Sequence, residues 1–197
     1  MNAITGIKTT DAARAYLADD AAALLQTALR FQGPAALLAT REHAARHEAG
    51  HAIQHAAEGR RVLSVKVFRR GPDWLGKTTA RELWKADQDT DPRADLAQAR
   101  ILLAGPLAEW FNCASPAYGA GMDEVALARG IVLIASRKLQ EDCQDLLMGA
   151  MAAVVETTKR HRGAFDQLTA VLMRERKVKG FPLRLLLASI DAHSAPH

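Results

Sequence analysis

Cysteine is scarce in this sequence: the 197 residues include only Cys113 and Cys143, which form no C-x-x-C pair. We therefore expect no disulfide framework, and we expect the protein in a reducing, cytoplasmic compartment. The sequence also lacks an apolar run long enough to cross a bilayer, and residues 1–10 lack the apolar core of a signal peptide. We therefore expect a soluble protein with no membrane partner.

Aromatic residues are also few, at 5% of the chain, whereas hydrophobic residues, many of them alanine, make up 49%. This composition favours helices over a sheet-rich fold. The net charge is +4, and basic residues are scattered among acidic ones apart from basic clusters at 159–162 and 174–179. We interpret these clusters as solvated helix faces. Because no aromatic residues are interleaved with the basic ones, we expect no nucleic-acid partner.

The most informative stretch is residues 47–51, which read H-E-A-G-H and match H-E-x-x-H. On a helix, His47 and His51 lie four residues apart on one face and can bind the same metal ion. Imidazole nitrogens suit zinc, and a catalytic zinc keeps one position open for water. Glu48 is placed to take a proton from that water as it attacks a carbonyl. The motif predicts one Zn²⁺ per chain, with His47 and His51 as ligands and Glu48 as general base.

The sequence around the motif supports a helix. Thr40 is suited to its N-cap, no proline occurs from 41 to 58, and Gly59 suits its end. His43 and His55 extend the histidine row at four-residue spacing. Alanine follows His43 and His51, so only the pair formed by His47 and His51 has a glutamate directly after its first member. We interpret His43 and His55 as flanking groups or as groups that support the ligands from outside.

The rest of the chain predicts a mainly α fold with a minor β component, a small hairpin beside the metal helix. Residues 62–68 are rich in β-branched side chains, 71–73 suit a turn, and 74–79 suit a returning strand. Helices are expected at 10–30, 41–58, 92–111, from 123 through 134, and at about 141–160, 164–176 and 182–192. Residues 85–91 and 114–122 are expected to be loops.

Residues 71–78 also match the phosphate-binding pattern G-x-x-x-x-G-K-[ST]. That mechanism requires a buried strand before the first glycine and a helix after the Lys-Thr pair. Here Arg69 and Arg70 precede the glycine, and Thr78 with Thr79 favours a strand. We interpret the segment as part of the hairpin and keep nucleotide binding as an alternative.

The third metal ligand stays open on chemical grounds. A motif that supplies a third histidine on the next turn would need glycine at position 54, where this chain has Gln54. Glu58 lies on the same helix as the two histidines and cannot reach a metal ion bound between them. The remaining acidic candidates are Glu82, Asp87, Asp89, Asp91, Asp95, Glu109, Asp123 and Glu124.

Several segments together resemble the peptidase domain of the FtsH family of zinc proteases. They are residues 47–52 (HEAGHA), the strand with 70–71 (RG) and 75–76 (LG), then 103–109 (LAGPLAE) and 119–123 (GAGMD). The resemblance runs from about 40 to 187. It implies a helical peptidase domain in which Asp123 is the third zinc ligand, Glu48 is the base and Glu109 has a supporting role beside the ligands. Met122 stands where the family usually has asparagine, so any hydrogen bond from that asparagine is lost.

The resemblance also sets expectations about organisation. FtsH-like proteins carry a membrane anchor and an AAA+ ATPase, and the 39 residues before Thr40 are too few for either. We expect a helical extension at 1–39 and a metallopeptidase domain at 40–197, acting without ATP on peptides or unfolded segments. The substrate is expected to extend along Trp74, Leu75, Gly76, Lys77 and Thr78. The hexameric rings of the family make a homo-oligomer an expectation. The alternative is a metal-binding interaction module that does not cleave and docks on a separate ATPase.

Overall fold

The computed structural model describes residues 38–81, 91–113 and 121–190, with the side chain of Met122 left aside. The predicted helix at 10–30, most of the predicted 1–39 extension and nearly all of both predicted loops lie outside these residues. The expectation about the Met122 side chain also falls outside the described part of the chain. The described part contains helices α1 (Arg41–Ala57), α2 (Pro92–Asn112), α3 (Met122–Leu139), α4 (Cys143–Arg160), α5 (Arg162–Glu175) and α6 (Gly180–Leu187), and strands β1 (Val62–Arg70), β2 (Asp73–Ala80) and β3 (Lys177–Lys179).

The predicted fold class is confirmed, because helices dominate and the strands form one small antiparallel sheet. Helix α1, which carries the histidine motif, begins as predicted. Thr40 accepts a hydrogen bond from the His43 amide, and the His43 ring accepts one from the Thr40 amide, which completes a capping box. The helix ends at Ala57, and Gly59 then adopts a φ of 72°.

Small residues bring α1 and α2 close together. A Cβ at Gly50 would overlap the backbone oxygen of Ala104 and the side chain of Ala108. Glu58 reinforces this contact with two hydrogen bonds from the Arg100 guanidinium, at 2.6 and 3.0 Å. The close packing of the two helices brings residues of α2 beside the histidines.

The sheet has the order β2-β1-β3, which leaves β2 at one edge. Arg70 pairs with Asp73 across a two-residue turn, and Gly71 has a φ of 61°, which glycine adopts readily. This confirms the predicted hairpin. Strand β3 was not predicted, because it is three residues long and two of them are lysine. Its place is fixed by a tertiary hydrogen bond from the Val67 amide to the Arg176 carbonyl, 2.8 Å long.

Two hydrophobic clusters form the core. The first lies between α1, the sheet, α5 and α6, with Phe165, Leu168, Leu172 and Leu183 fully buried. The second lies between α2, α3 and α4, with Leu103, Val132 and Val154 fully buried. Among the described helices, none combines the length and apolarity that a bilayer crossing requires.

Candidate metal centre

Three side chains converge where α1 meets α3. Nε2 of His51 lies 3.1 Å from Nε2 of His47 and 3.0 Å from Oε1 of Glu124. Nε2 of His47 lies 3.0 Å from Oε2 of Glu124. Among the described residues, these three side chains form a group of potential ligands that is compact enough to hold a metal ion.

The other nitrogen of each imidazole is already engaged. Nδ1 of His51 lies 2.8 Å from the carbonyl oxygen of Ile101, which can only accept, so Nδ1 carries the proton. Nδ1 of His47 lies 3.4 Å from Oε2 of Glu109, a residue that is 2% exposed. Both contacts leave the Nε2 lone pairs directed at each other and at Glu124. This is how protein groups usually orient metal-ligating histidines.

The cluster fits a small divalent cation. Ligands of a tetrahedral zinc ion lie about 3.3 Å apart. The two Nε2 atoms are 3.1 Å apart, and each lies 3.0 Å from a different oxygen of the Glu124 carboxylate. Without a cation or proton between them, two imidazole lone pairs and a carboxylate would repel one another. Oε2 of Glu124 is buried, and although it lies near Nε2 of His47, no hydrogen bond to it occurs in the described part of the chain.

The pKa values show the same preference for positive charge. Burial lowers the pKa of His47, but the Glu109 and Glu124 carboxylates outweigh burial and raise it to about 10. Burial would raise the pKa of Glu124, but the two histidines hold it well below its usual range. The two carboxylates therefore favour a positive charge on His47 at neutral pH.

Two glycines allow the ligands to meet. A Cβ at Gly105 of α2 would overlap Nε2 of both His47 and His51. A Cβ at Gly121, which has a φ of 70°, would overlap the ring of Pro106. Gly121 therefore lets the start of α3 approach α2, and this approach carries Glu124, in the first turn of α3, to the histidines.

Glu48 lies beside this centre and is held by β2. It is 6% exposed, and the Thr78 hydroxyl donates a 2.7 Å hydrogen bond to its Oε2. A Cβ at Gly76 would overlap the Glu48 side chain, so only glycine lets the strand come this close. Cavities of about 330 and 300 Å³ lie on either side, and Glu48, Gly76 and Glu124 line both. Glu48 and the histidine–glutamate cluster therefore face open space on both sides.

The structure differs from the resemblance at the third ligand. Asp123, expected there, has an exposed side chain and lines the larger cavity, while Glu124 contacts the histidines. Successive helical residues point about 100° apart, so only one of the two can face the histidines. Glu124 was one of the open candidates, but nothing in the local sequence distinguished it from Asp123.

The other acidic candidates lie elsewhere. Asp91 caps α2 by accepting a hydrogen bond from the Arg93 amide, and Asp95 is 3.2 Å from the Lys138 ammonium. Glu109, for which the resemblance implies a supporting role, is the exception, since its Oε2 lies 3.4 Å from Nδ1 of His47. Glu82, Asp87 and Asp89 lie outside the described residues.

The flanking histidines differ in their surroundings. His43 is part of the capping box of α1. His55 lines the smaller cavity, and burial lowers its pKa to about 3, with further contributions from His51 and Arg60. His55 is therefore neutral and separate from the cluster, as the flanking interpretation expected.

The predicted substrate segment lies in β2. Trp74 packs between the Arg41 and Arg176 guanidinium groups, each 5.4 Å from its ring. Leu75 and Lys77 are exposed, and Gly76 and Thr78 contact Glu48. Residues 71–78 form a turn and a strand, with no helix after Lys77, so they lack the geometry of a phosphate-binding loop.

Compared with models of known protein families and with curated proteins, the chain matches none. The site itself supplies the functional information. It combines two histidines and a glutamate that can share one cation, a second glutamate held at their side, and an adjacent sheet edge.

Proposed function

We propose that the protein is a zinc-dependent peptidase that hydrolyses peptide bonds in peptides or unfolded segments. His47, His51 and Glu124 would hold one Zn²⁺, and Glu48 would be the general base. The observation that carries this proposal is the convergence of the three ligands beside a glutamate that belongs to the same H-E-x-x-H motif. Such a centre is typical of metal-assisted amide hydrolysis.

When bound, zinc supplies a Lewis acid that polarises a carbonyl oxygen and acidifies water. Glu48 takes the proton from the attacking water and passes it to the amine that leaves. Thr78 holds the Glu48 carboxylate in one orientation through its 2.7 Å hydrogen bond. The Ile101 carbonyl and Glu109 fix the two imidazoles, so the ligands need little rearrangement during the reaction.

The substrate would add as a strand to the outer edge of β2, which pairs with no other strand among the described residues. The Trp74 amide donates to the Ala39 carbonyl on this edge, at 2.9 Å, so its backbone points away from β1. Because backbone direction alternates along a strand, Gly76 and Thr78 also point outward. An extended peptide bonded to them would pass next to Glu48, which supports the choice of unfolded substrates.

The resemblance to FtsH-type peptidases is part of this proposal, with one change. Glu124 would replace the neighbouring Asp123 as the acidic ligand. The alternative is a metal-binding module that does not cleave. Such a module would bind the metal ion at the same residues but would not hydrolyse peptides. An experiment that measures metal content and cleavage separately distinguishes the two.

Purified protein loaded with zinc should contain one ion per chain and should cleave unstructured casein without ATP. Glu48→Gln should retain the ion and lose at least about a hundredfold in rate, because a general base commonly contributes 10²–10⁴-fold. Glu42→Gln is the matched control, since Glu42 is an exposed residue of the same helix and pairs with Arg46. Equal cleavage by Glu48→Gln and the unmodified protein would refute the enzyme, and metal binding without cleavage would favour the interaction module.

A further inference from the structure

Three lysines stand side by side across the sheet. In the antiparallel register, Lys66 of β1 is directly opposite Lys77 of β2 and directly opposite Lys177 of β3. Opposite residues point to the same face, and neighbouring strands are about 4.8 Å apart. The three side chains, here called the lysine row, therefore run across all three strands.

The lysine row lies on the outer face of the sheet. Val65, Val67 and Val178 are buried on the face toward α1, and the residues that alternate with them point the other way. Lys77 and Lys177 are exposed and Lys66 is half-buried. The row is therefore accessible to a partner from solvent.

No carboxylate compensates the lysine row within the residues that the structure describes. Some basic side chains elsewhere in that part of the chain do have acidic partners: Arg46 pairs with Glu42, Arg100 with Glu58, Lys138 with Asp95 and Arg162 with Asp166. Lys66 instead lies 5.2 Å from the ring of its neighbour Phe68. Like charges directly opposite one another destabilise a sheet, so the row is a feature that an anionic partner would stabilise.

The row ends at the edge where the substrate would bind. Lys77 lies between Gly76 and Thr78, whose backbone groups point outward from β2. A peptide added at this edge becomes a fourth strand, and one of its residues lies directly opposite Lys77 on the outer face. The side chains on either side of that residue point to the other face, toward Glu48 and the metal ligands.

We propose that the protein selects extended peptides with an acidic residue opposite Lys77, so that a carboxylate from the substrate continues the lysine row. This inference rests on the proposed strand addition of a peptide substrate. An Asp or Glu at that position pairs with Lys77 and is also attracted by Lys66. A Lys or Arg there would be a fourth like charge in the row.

Fluorogenic peptides test this directly. A neutral host sequence taken from a casein cleavage site is varied at one position at a time to Glu, Gln or Lys. At low salt, one position of the peptide should give a kcat/KM up to about fivefold higher for Glu than for Gln, and lower again for Lys, given the upper range of cross-strand charge pairs. The preference for Glu should recur only at peptide positions two residues away from this one, because those side chains lie on the same face. It should shrink at 1 M salt, where charges are screened within about 3 Å.

Two variants locate the preference. Lys77→Glu should reverse it, so that the Lys peptide becomes the better substrate. Lys179→Glu makes the same charge change on β3, opposite Ser64 and two strands away from the edge, and should leave the order of the peptides unchanged. Cooperative thermal unfolding and an unaltered zinc content in both variants would show that the fold and the site are retained.

Binding to the Glu48→Gln variant separates this inference from the proposed function. Tighter binding of the Glu peptide, with or without cleavage by the unmodified protein, supports acidic selection. If the Glu peptide binds more tightly but no peptide is cleaved, the proposed peptidase function is contradicted and the acidic selection is still supported. Equal binding and equal cleavage of the Glu, Gln and Lys peptides, or a preference that survives Lys77→Glu, would overturn the inference.

Discussion

The hydroxyl of Thr78 lies 2.7 Å from Oε2 of Glu48, so a residue of the sheet edge orients the carboxylate at the metal centre. The strand proposed to receive the substrate is thereby also the strand that positions Glu48, the proposed base. A substitution at Thr78 tests this link between substrate binding and catalysis.

Replacing Thr78 with valine keeps the shape of the side chain and removes the hydrogen bond. We expect kcat for peptide cleavage to fall about tenfold because Glu48 loses its fixed orientation, which is equivalent to about 1.4 kcal/mol in the barrier. KM should change little, since the backbone edge is intact. Thr78→Ser, which retains the hydroxyl, should restore most of kcat, and a valine variant as active as the unmodified protein would contradict this role.

The identity of the third ligand is tested by a pair of neighbouring substitutions. Glu124→Gln should weaken zinc binding by more than about a hundredfold, since removing even an outer partner of a ligand costs 10–100-fold. Asp123→Asn should bind zinc as the unmodified protein does, because Asp123 is exposed and outside the cluster. Competition with a chromogenic chelator measures both, and the opposite ranking would restore Asp123 as the ligand.

Zinc binding should release protons at neutral pH. His47 has a pKa raised to about 10 in the metal-free protein, so it is protonated at pH 7.5 and must lose that proton to bind zinc. Calorimetry in buffers with different ionisation enthalpies should show about one proton released from His47. The release should disappear as the pH rises above about 10, and it should already be smaller at pH 7.5 in Glu109→Gln, where one carboxylate that raises the pKa is gone.

The same shift has a consequence for stability. Because the folded pKa of His47 lies above the ordinary value of 6.5, its contribution to metal-free stability is complete below pH 6.5 and is lost as the pH rises toward 10. Urea unfolding of the chelator-treated protein between pH 6 and 10 would follow this loss. A metal-free protein that gains stability over this range would contradict the assignment, with His47→Gln as the control for other groups.

Gly105 should be intolerant of any side chain. Gly105→Ala places a methyl group against Nε2 of both histidines, so we expect loss of zinc binding and a destabilisation of about 1–3 kcal/mol, typical of overpacking. Gly149→Ala is a helical control with open space around its Cβ position, and should stabilise the protein by about 0.5–1 kcal/mol. Thermal unfolding and zinc content measure both effects, and normal zinc binding by Gly105→Ala would contradict the close approach.

The elements that depend on local chemistry could be predicted from the sequence. Thr40 at the cap of α1, Asp91 before Pro92 at the start of α2, and the turn at Gly71 each satisfy or bend the backbone within a few residues. The pairing of His47 with His51 follows from helical spacing alone. These features need no knowledge of the remaining chain.

The features that depend on tertiary contacts could not be predicted in this way. The choice of Glu124 over Asp123 depends on the rotation of α3 about its axis, which is set where Gly121 meets Pro106. Strand β3 is placed beside β1, where the Val67 amide donates a hydrogen bond to the Arg176 carbonyl. Both are decided by the way distant segments pack, and neither leaves a local sequence signal.

The two hydrophobic clusters meet at the metal centre. His47 and His51 belong to a helix of the first cluster, and Glu124 belongs to a helix of the second. An ion shared by these residues would act as a cross-link between the two halves, in addition to their side-chain packing and the ion pair of Glu58 with Arg100. The amount of zinc available would then set both the reactivity of the site and the cohesion of the molecule, and a cell that withholds the metal would obtain a looser protein as well as an inactive one.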